Sequence, residues 1–317
     1  MSNRSATRQH CPEPAVEIDL QRLAGELDAS YADRVGVNLA ETFNLPGRAE
    51  VESLIDRLLE VVFPGFSSSP RHRESLTAET TVLLLELKKE LQSQISRAMR
   101  FGCRGECCGE CEWTERGAAA VKALFAALTE IRALMKYDVQ AAYDGDPAAV
   151  SLDEVILSYP CIKAITIQRF AHVLYRAGTP LIPRLMTEYA HAVTGIDIHP
   201  GAQLGRGVFI DHGTGVVIGE TAVIGDFVRI YQGVTLGALS FPTDAHGVMI
   251  KGRKRHPSVG DRVTIYAGAT ILGDITIGAD CVIGGNVWLT EDLPAGTRII
   301  ALPPEQQKRK RSGKPKA

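Results

Sequence analysis

An aliphatic residue returns every six positions from Ile198 to Leu293. This period matches neither the 3.6-residue turn of an α-helix nor the two-residue alternation of a half-buried strand. It is typical of a hexapeptide β-helix, in which three short strands form one coil and the aliphatic side chains stack inside. The register slips by two residues after Val216 and is interrupted after Leu236. The repeated positions are Ile198, Leu204, Ile210, Val216, Ile218, Ile224, Ile230, Leu236, Val259, Ile265, Ile271, Ile277, Ile283 and Leu289.

The residues before this stretch follow a helical period. Apolar side chains recur three and four positions apart in successive segments, which end at Gly195. We therefore predict an α+β fold, with an all-α domain at residues 16–195 and a parallel β-helix domain at residues 196–300. Residues 1–15 and 301–317 are polar, and we expect both to be disordered.

Composition and charge limit the partners. The chain is 45% hydrophobic and carries a net charge of −2, so its body has no electrostatic reason to bind nucleic acid. Six basic residues cluster between Lys308 and Lys316, where a solvated tail is the common interpretation and an anion site the alternative. The sequence shows neither a signal peptide nor an apolar run long enough to cross a membrane. We expect a cytoplasmic protein.

Four cysteines fall within nine residues, between two predicted helices: Cys103, Cys107, Cys108 and Cys111. Thiolates this close can share one metal ion or an iron–sulfur cluster. Their spacing matches neither the paired CxxC motifs of common zinc sites nor a ferredoxin run. A redox-labile or inert loop is the alternative, and metal analysis of protein purified without oxygen would decide between the two.

Candidate chemistry lies where residues depart from the repeat. Asp197 and His212 are separated by a little less than one coil, so stacking can bring them together. An imidazole is a natural general base near neutral pH, and a carboxylate behind it fixes its tautomer. A loop at residues 238–257 interrupts the repeat and ends in a basic run that includes Arg255 and His256, which suits an anionic ligand.

Five segments together resemble the serine O-acetyltransferase family, in a longer variant with an extended helical domain. The segments are Asp146–Ala148, Asp197–Pro200, Ile210–Ala222, Gln232–Gly237 and Arg255–Pro257. The resemblance implies a left-handed parallel β-helix, assembled as a trimer or a dimer of trimers, with active sites between subunits. It also implies transfer of the acetyl group of acetyl-CoA to the hydroxyl of L-serine, in the biosynthesis of cysteine.

The resemblance also assigns site residues. His212 corresponds to the general base, Asp197 to the carboxylate that orients it, and His256 is our candidate to stabilise the oxyanion. The serine-binding group corresponds to Asp146, Asp211, Arg255 and His256. Contacts with acetyl-CoA fall near Ala238, Ala267 and Gly285, and we expect no catalytic metal.

Other functions remain open from the residues alone. The acceptor can be another hydroxyl, such as that of homoserine, and a non-catalytic scaffold would show no turnover. A carbonic anhydrase on a similar fold would need three histidines around zinc. Known members of the family end on an isoleucine that inserts into the next enzyme of the pathway. This chain ends in Lys314–Ala317, so we do not expect that complex.

Overall fold

The computed structural model describes residues 17–31, 45–66, 74–102, 110–240, 243–244, 246–302 and 307. The cluster residues Cys103, Cys107 and Cys108 lie outside these ranges, and the side chain of Cys111 is likewise not described. The predictions for residues 1–15 and for the basic tail also fall outside the described residues.

The first helix, α1 (Leu20–Tyr31), belongs to a unit of its own, residues 1–44. Its amphipathic sequence places Leu20, Leu23 and Leu27 on neighbouring turns. The helix begins after Asp19, whose carboxylate accepts a hydrogen bond from the backbone N–H of Arg22 at 2.9 Å. That bond satisfies one of the free amides of the first turn.

Six further helices lie in the second unit, residues 45–317, and their ends follow local sequence signals. They are α2 (Arg48–Val62), α3 (Leu76–Gly102), α4 (Glu110–Gly145), α5 (Leu152–Ser158), α6 (Pro160–Arg176) and α7 (Ile182–Thr194). Ser151 caps α5 by accepting a bond from the N–H of Glu154. Pro160 occupies the first turn of α6, where its missing N–H costs nothing. Gly195 ends α7 in the left-handed conformation, with a φ of 72°.

Fourteen short strands in the described chain then wind into a three-sided parallel solenoid. Sheet A contains β1 (Ile196–Ile198), β4 (Val216–Ile218), β7 (Thr235–Gly237), β10 (Thr270–Leu272) and β13 (Trp288–Leu289). Sheet B contains β2 (Gln203–Leu204), β5 (Val223–Ile224), β8 (Ser258–Val259) and β11 (Thr276–Ile277). Sheet C contains β3 (Phe209–Asp211), β6 (Arg229–Tyr231), β9 (Thr264–Ile265), β12 (Val282–Ile283) and β14 (Arg298–Ile299). The predicted α+β architecture is therefore confirmed.

The core of the solenoid consists of the residues that the six-residue period identifies. Of those fourteen positions, all except Leu204 are buried, and Leu204 is half-buried. In sheet A, Ile218 lies opposite Leu236, and Leu236 lies opposite Ile271. Each buried aliphatic side chain contributes roughly 1.5–3 kcal/mol relative to an exposed one. Stacking of each coil on its neighbours therefore accounts for the stability of this half.

The two irregularities of the period correspond to two edges of the solenoid. Between sheets C and A, the first coil places five residues between Asp211 and Val217, whereas their register partners Tyr231 and Thr235 enclose three. The slip after Val216 is thus a two-residue bulge at this C–A edge. The long insertion leaves the solenoid between β7 and β8, at the A–B edge.

The helices cover the N-terminal end of the solenoid. Helices α6 and α7 pack against β1, and α4 and α6 pack against β3. Residues 45–317 form one compact unit, and the division into a helical domain at residues 16–195 and a β-helix domain at residues 196–300 stays a prediction. Within the described residues, no helix combines the length and the apolar character that a membrane crossing requires.

Candidate active site

The bulge at the C–A edge presents His212. This residue has a φ of 58°, in the left-handed region that few side chains other than Gly adopt without strain. Its side chain is 71% exposed, and its Nδ1 atom lies 3.7 Å from the carboxylate of Asp211. Gly213 and Gly215 also have positive φ values, which allow the chain to turn twice around the extra residues. The geometry leaves the imidazole accessible to a substrate.

Two residues from the helical half complete this first cluster. Asp146 follows α4, and its carboxylate accepts hydrogen bonds from the hydroxyl of Tyr159 and, at 2.8 Å, from the N–H of Ala148. These bonds lower the pKa of Asp146, and the nearby His212 lowers it further. The same bond raises the pKa of Tyr159, and the charge of Asp211 adds to that rise. Asp146, Tyr159, Asp211 and His212 therefore form one group, in which Tyr159 keeps Asp146 ionised.

A second cluster lies at the A–B edge, where the inserted loop returns to the solenoid. The ring of His256 is only 7% exposed. Its Nδ1 atom accepts a hydrogen bond from the backbone N–H of Thr221 at 3.1 Å, so in the neutral ring the proton is on Nε2. Burial, assisted by the charge of Arg255, lowers the pKa of His256 to about 4. At neutral pH the ring is an uncharged donor through Nε2–H.

Gly219 makes room for that ring. A Cβ atom at this position would overlap the Cδ2 and Nε2 atoms of His256. The hydroxyl of Thr221 accepts hydrogen bonds from the N–H groups of Arg255 and His256, at 3.0 and 3.2 Å. Gly219 and Thr221 together determine where the His256 ring lies.

Arg255 is oriented by Glu220. One carboxylate oxygen of Glu220 pairs with the guanidinium of Arg255, and the other accepts a bond from the hydroxyl of Tyr175 on α6 at 2.7 Å. Burial would raise the pKa of Glu220, but these two partners outweigh it and hold the pKa below its usual value. The ring of His199 contacts Tyr175 edge-on, at 5.7 Å between centroids, and burial lowers the pKa of His199. The charged carboxylate of Glu220 thus connects Tyr175 on α6 with Arg255 at the end of the inserted loop.

The structure distributes the predicted site residues over two edges of the solenoid. Asp146, Asp211 and His212 lie at the C–A edge, whereas Arg255 and His256 lie at the A–B edge, with sheet A between them. Within the part of the chain that the structure describes, no hydrogen bond or ion pair joins the side chains of Asp146, Asp211 or His212 to those of Arg255 or His256.

Asp197 lies on β1 of sheet A, opposite Val217 in register. Within the described ranges, no ion pair joins Asp197 to His212, and Asp211 is the carboxylate within 4.0 Å of that ring. The role of Asp197 in orienting His212 therefore stays a prediction.

The predicted acetyl-CoA residues also divide between the edges. Ala267 and Gly285 lie at the C–A edge in successive coils, where the N–H of Asn286 bonds to the carbonyl of Ala267 at 2.9 Å. Ala238 follows β7 at the other edge. Over the ranges that the structure describes, no three His, Cys, Asp or Glu side chains form a possible metal site.

Sequence reasoning missed five residues that shape these clusters: Tyr159, Tyr175, Gly219, Glu220 and Thr221. Gly219 follows an aliphatic position, as glycine commonly does in this repeat. The repeat alone therefore accounts for this glycine, and nothing in the sequence indicates that it makes room for His256. Glu220 and Thr221 stand in a segment that carries the family resemblance, but no spacing rule connects them to residues 35 positions later. Tyr159, at the junction of α5 and α6, has no sequence signal that would pair it with Asp146.

Comparisons with known proteins agree with this architecture. Residues 256–291 match the model of the bacterial transferase hexapeptide family (six repeats). The chain is 48% identical over 265 residues to the plasmid serine acetyltransferase of Synechococcus elongatus, covering 81% of this chain and 82% of that relative. It is 48% identical over 169 residues to the serine acetyltransferase of Mycobacterium tuberculosis, covering 53% and 70% respectively.

Solved structures show the same likeness over most of the chain. Serine acetyltransferase isoform 3 of Entamoeba histolytica, in complex with cysteine, aligns with a TM-score of 0.69 and 37% identity. That alignment covers 92% of this chain and 95% of the other. The soybean serine acetyltransferase complexed with serine aligns with a TM-score of 0.52 and 28% identity, covering 80% and 97%.

The solenoid of hexapeptide repeats, the match to the bacterial transferase hexapeptide model and the likeness to serine acetyltransferases together place the chain among the hexapeptide-repeat acyltransferases. Within that class, the 48% identity to the plasmid serine acetyltransferase of Synechococcus elongatus, over about four fifths of each chain, identifies the family. The chain belongs to the serine acetyltransferase family.

Proposed function

We propose that the protein transfers the acetyl group of acetyl-CoA to the hydroxyl of L-serine, at a site that two copies of the chain build together. The observation that carries this proposal is the division of the site residues. An exposed histidine with two carboxylates lies at one edge of the solenoid, and a buried neutral histidine with an arginine lies at another. The first cluster has no arginine or lysine for the carboxylate of an amino acid, and the carboxylate of the second cluster, Glu220, already pairs with Arg255 and Tyr175.

His212 acts as the general base in this mechanism. It removes the proton of the serine hydroxyl while the oxygen attacks the thioester carbonyl carbon, and a carbon–oxygen bond forms. The tetrahedral intermediate then collapses, the carbon–sulfur bond breaks, and the proton passes from His212 to the departing sulfur. The products are O-acetylserine and free CoA. No covalent enzyme intermediate is needed.

Charge complementarity supports an amino-acid acceptor. Asp146, which Tyr159 keeps ionised, and Asp211 can bind the ammonium group of serine. Arg255 can bind the carboxylate, because a guanidinium has five N–H donors and Glu220 occupies only part of them. A sugar hydroxyl would need no such charged partners.

His256 is suited to stabilise the oxyanion. Its Nε2–H is a donor because Thr221 occupies Nδ1 and because burial keeps the ring neutral. A fixed donor aimed at the developing charge typically contributes about 10²–10³ in kcat. We expect His256→Asn to lower turnover by about that factor, and a change confined to the KM for serine would refute the role.

In this proposal the chain works as a cyclic oligomer. Three copies around an axis can place the C–A edge of one copy against the A–B edge of the next, and the contact is then repeated head to tail until the ring closes. The trimer implied by the family resemblance has this arrangement. His212 would then receive its missing partners, Arg255 and His256, from the neighbouring copy.

The first test is the release of free CoA from acetyl-CoA with L-serine, with L-homoserine and without acceptor. We expect turnover with serine and a loss of about 10²–10⁴ in His212→Ala, the range for removing a general base. His191→Ala, which removes a part-exposed histidine on α7, is the matched control and should retain activity. A preference for homoserine would mean that homoserine, and not serine, is the acceptor. An absence of turnover with every acceptor would favour a non-catalytic scaffold.

A further inference from the structure

Two tyrosine rings are stacked on the outside of the solenoid. The rings of Tyr231 and Tyr266 lie 5.1 Å apart between centroids, with an angle of 9° between their planes. Tyr231 is the register partner of Asp211 on sheet C, and Tyr266 follows in the next coil, where its N–H bonds to the carbonyl of Ile283. Tyr266 is 43% exposed. These rings contribute an outer aromatic surface and lie outside the stacked aliphatic core.

The surface lies beside the first cluster of the active site. Neighbouring strands are about 4.8 Å apart, so the two rings lie roughly one and two coil steps from Asp211. The residues that follow them in the chain, Gln232 and Ala267, lie at the same C–A edge as His212. A molecule that extends from His212 along this edge toward the C-terminus passes the two rings.

In the opposite direction lie the helices. Helices α4 and α6 pack on β3, and Asp146 and Tyr159 lie next to Asp211 and His212 on that side. A long acyl donor whose thioester is at His212 therefore has to extend away from the helices, across the later coils. The arm of acetyl-CoA is several coil steps long, so its middle section would reach the rings.

We propose that Tyr231 and Tyr266 form a platform that binds the pantetheine arm of acetyl-CoA. The inference depends on the proposed function, because that function places the thioester at His212. Aromatic faces pack well against the methylene and methyl groups of such an arm, and their hydroxyls remain available to its amides. The platform would contribute to donor binding and would leave the chemistry at His212 unchanged.

The test compares Tyr266→Ala with wild type, using donors of different length. We expect the variant to raise the KM for acetyl-CoA about fivefold to tenfold, as for the loss of about 1 kcal/mol of aromatic packing. The KM for serine and the kcat should stay the same, and Tyr266→Phe should resemble wild type. The increase in the KM for the acetyl donor should persist with S-acetylpantetheine. It should disappear with S-acetyl-N-acetylcysteamine, whose short arm ends before the second ring.

Phe227→Ala is the matched control. Phe227 is 44% exposed, nearly the same as Tyr266, but it packs edge-on against Tyr137 of α4, away from the C–A edge. Its removal should leave every KM unchanged. If Tyr266→Ala raised the KM equally for the long and the short donor, the platform would be overturned. The same would follow if Tyr266→Ala changed the mass of the oligomer and left the KM for acetyl-CoA unchanged.

Calorimetric binding of CoA separates this inference from the proposed function. Wild type should bind CoA several-fold more tightly than Tyr266→Ala, and this readout needs no turnover. Equal binding by the two proteins would overturn the platform even if serine is acetylated. Tighter binding by wild type without any acetyl transfer would refute the proposed function and retain the platform.

Discussion

At the scale of single residues, the second cluster depends on the neutrality of His256. Burial lowers its pKa from an ordinary value near 6.5 to about 4, so the native state disfavours protonation of this ring. The unfolded chain binds a proton at higher pH than the folded chain does. The corresponding contribution to stability is therefore present above about pH 6.5 and is lost as the pH falls toward 4.

Gly219→Ala tests the placement of this ring. The new methyl group overlaps the His256 ring and must displace it from Thr221, which frees Nδ1 and exposes the imidazole. We expect kcat to fall by about 10²–10³, as for the loss of an oxyanion donor. The pKa of His256, measured by NMR titration, should rise from about 4 toward its ordinary value.

Gly260→Ala serves as the control for Gly219→Ala. Gly260 is crowded by backbone atoms of Ala279, so its substitution strains the solenoid without contacting either cluster. It should lower the melting temperature and retain kcat. Equal effects of the two substitutions on kcat would mean that Gly219 matters only for stability.

At the scale of elements, a buried ion pair connects the helices to the solenoid. The carboxylate of Asp138 on α4 accepts bonds from Arg169 on α6 at 2.8 and 3.1 Å, and from the N–H of Val208 at 2.9 Å. Arg169 also donates to the carbonyl of Gly205 at 2.7 Å. Asp138 precedes Asp146 by two turns of α4. The pair therefore holds the end of α4 that precedes Asp146, the carboxylate proposed to bind the substrate.

Asp138→Asn should be strongly destabilising. Removing one member leaves the charge of Arg169 buried without a partner, which typically costs about 3–5 kcal/mol. Thermal and urea unfolding would measure the loss, and Asp138→Asn with Arg169→Met should recover part of it. The control is Asp280→Asn, which breaks an ion pair with Arg262 whose side chains are 55% exposed, so that little change in stability is expected. Similar losses in the two variants would contradict a special role for the buried pair.

At the scale of the whole molecule, the arrangement of the clusters predicts complementation between inactive chains. A His212→Ala chain retains a complete A–B edge, and a His256→Asn chain retains a complete C–A edge. If sites form between copies in a closed ring, random mixing makes about one quarter of them intact. Coexpression of the two chains in equal amounts, assayed without separating mixed from unmixed oligomers, would measure this recovery.

Two outcomes of the mixing experiment are informative. Activity near one quarter of wild type supports shared sites. Activity no higher than the average of the two parent variants would mean that both clusters act within one chain, and the proposed assembly would then be wrong.

The sequence predicted the solenoid because its determinants are local and periodic. Each aliphatic residue packs against its equivalents in adjacent coils, so a six-residue period specifies the strands, the corners and the core together. The helical half was less well resolved from sequence, since the apolar period alone does not separate α5 from α6, which divide at Tyr159. The residue before a proline avoids helical geometry, and this junction carries the tyrosine that bonds to Asp146.

The sequence by itself determined the fold class, the two irregular edges and the family, because all three are encoded in spacing and in short motifs. Only the tertiary structure decided which residues meet. It placed Asp146 and Tyr159 beside His212, connected Tyr175 to Arg255 through Glu220, and put the two clusters on different edges. The hydrogen bonds within the two clusters, from Tyr159 to Asp146 and from Tyr175 and Arg255 to Glu220, join residues 13 to 45 positions apart. They depend on how the helices pack onto the first coil, and no period in the sequence records that packing.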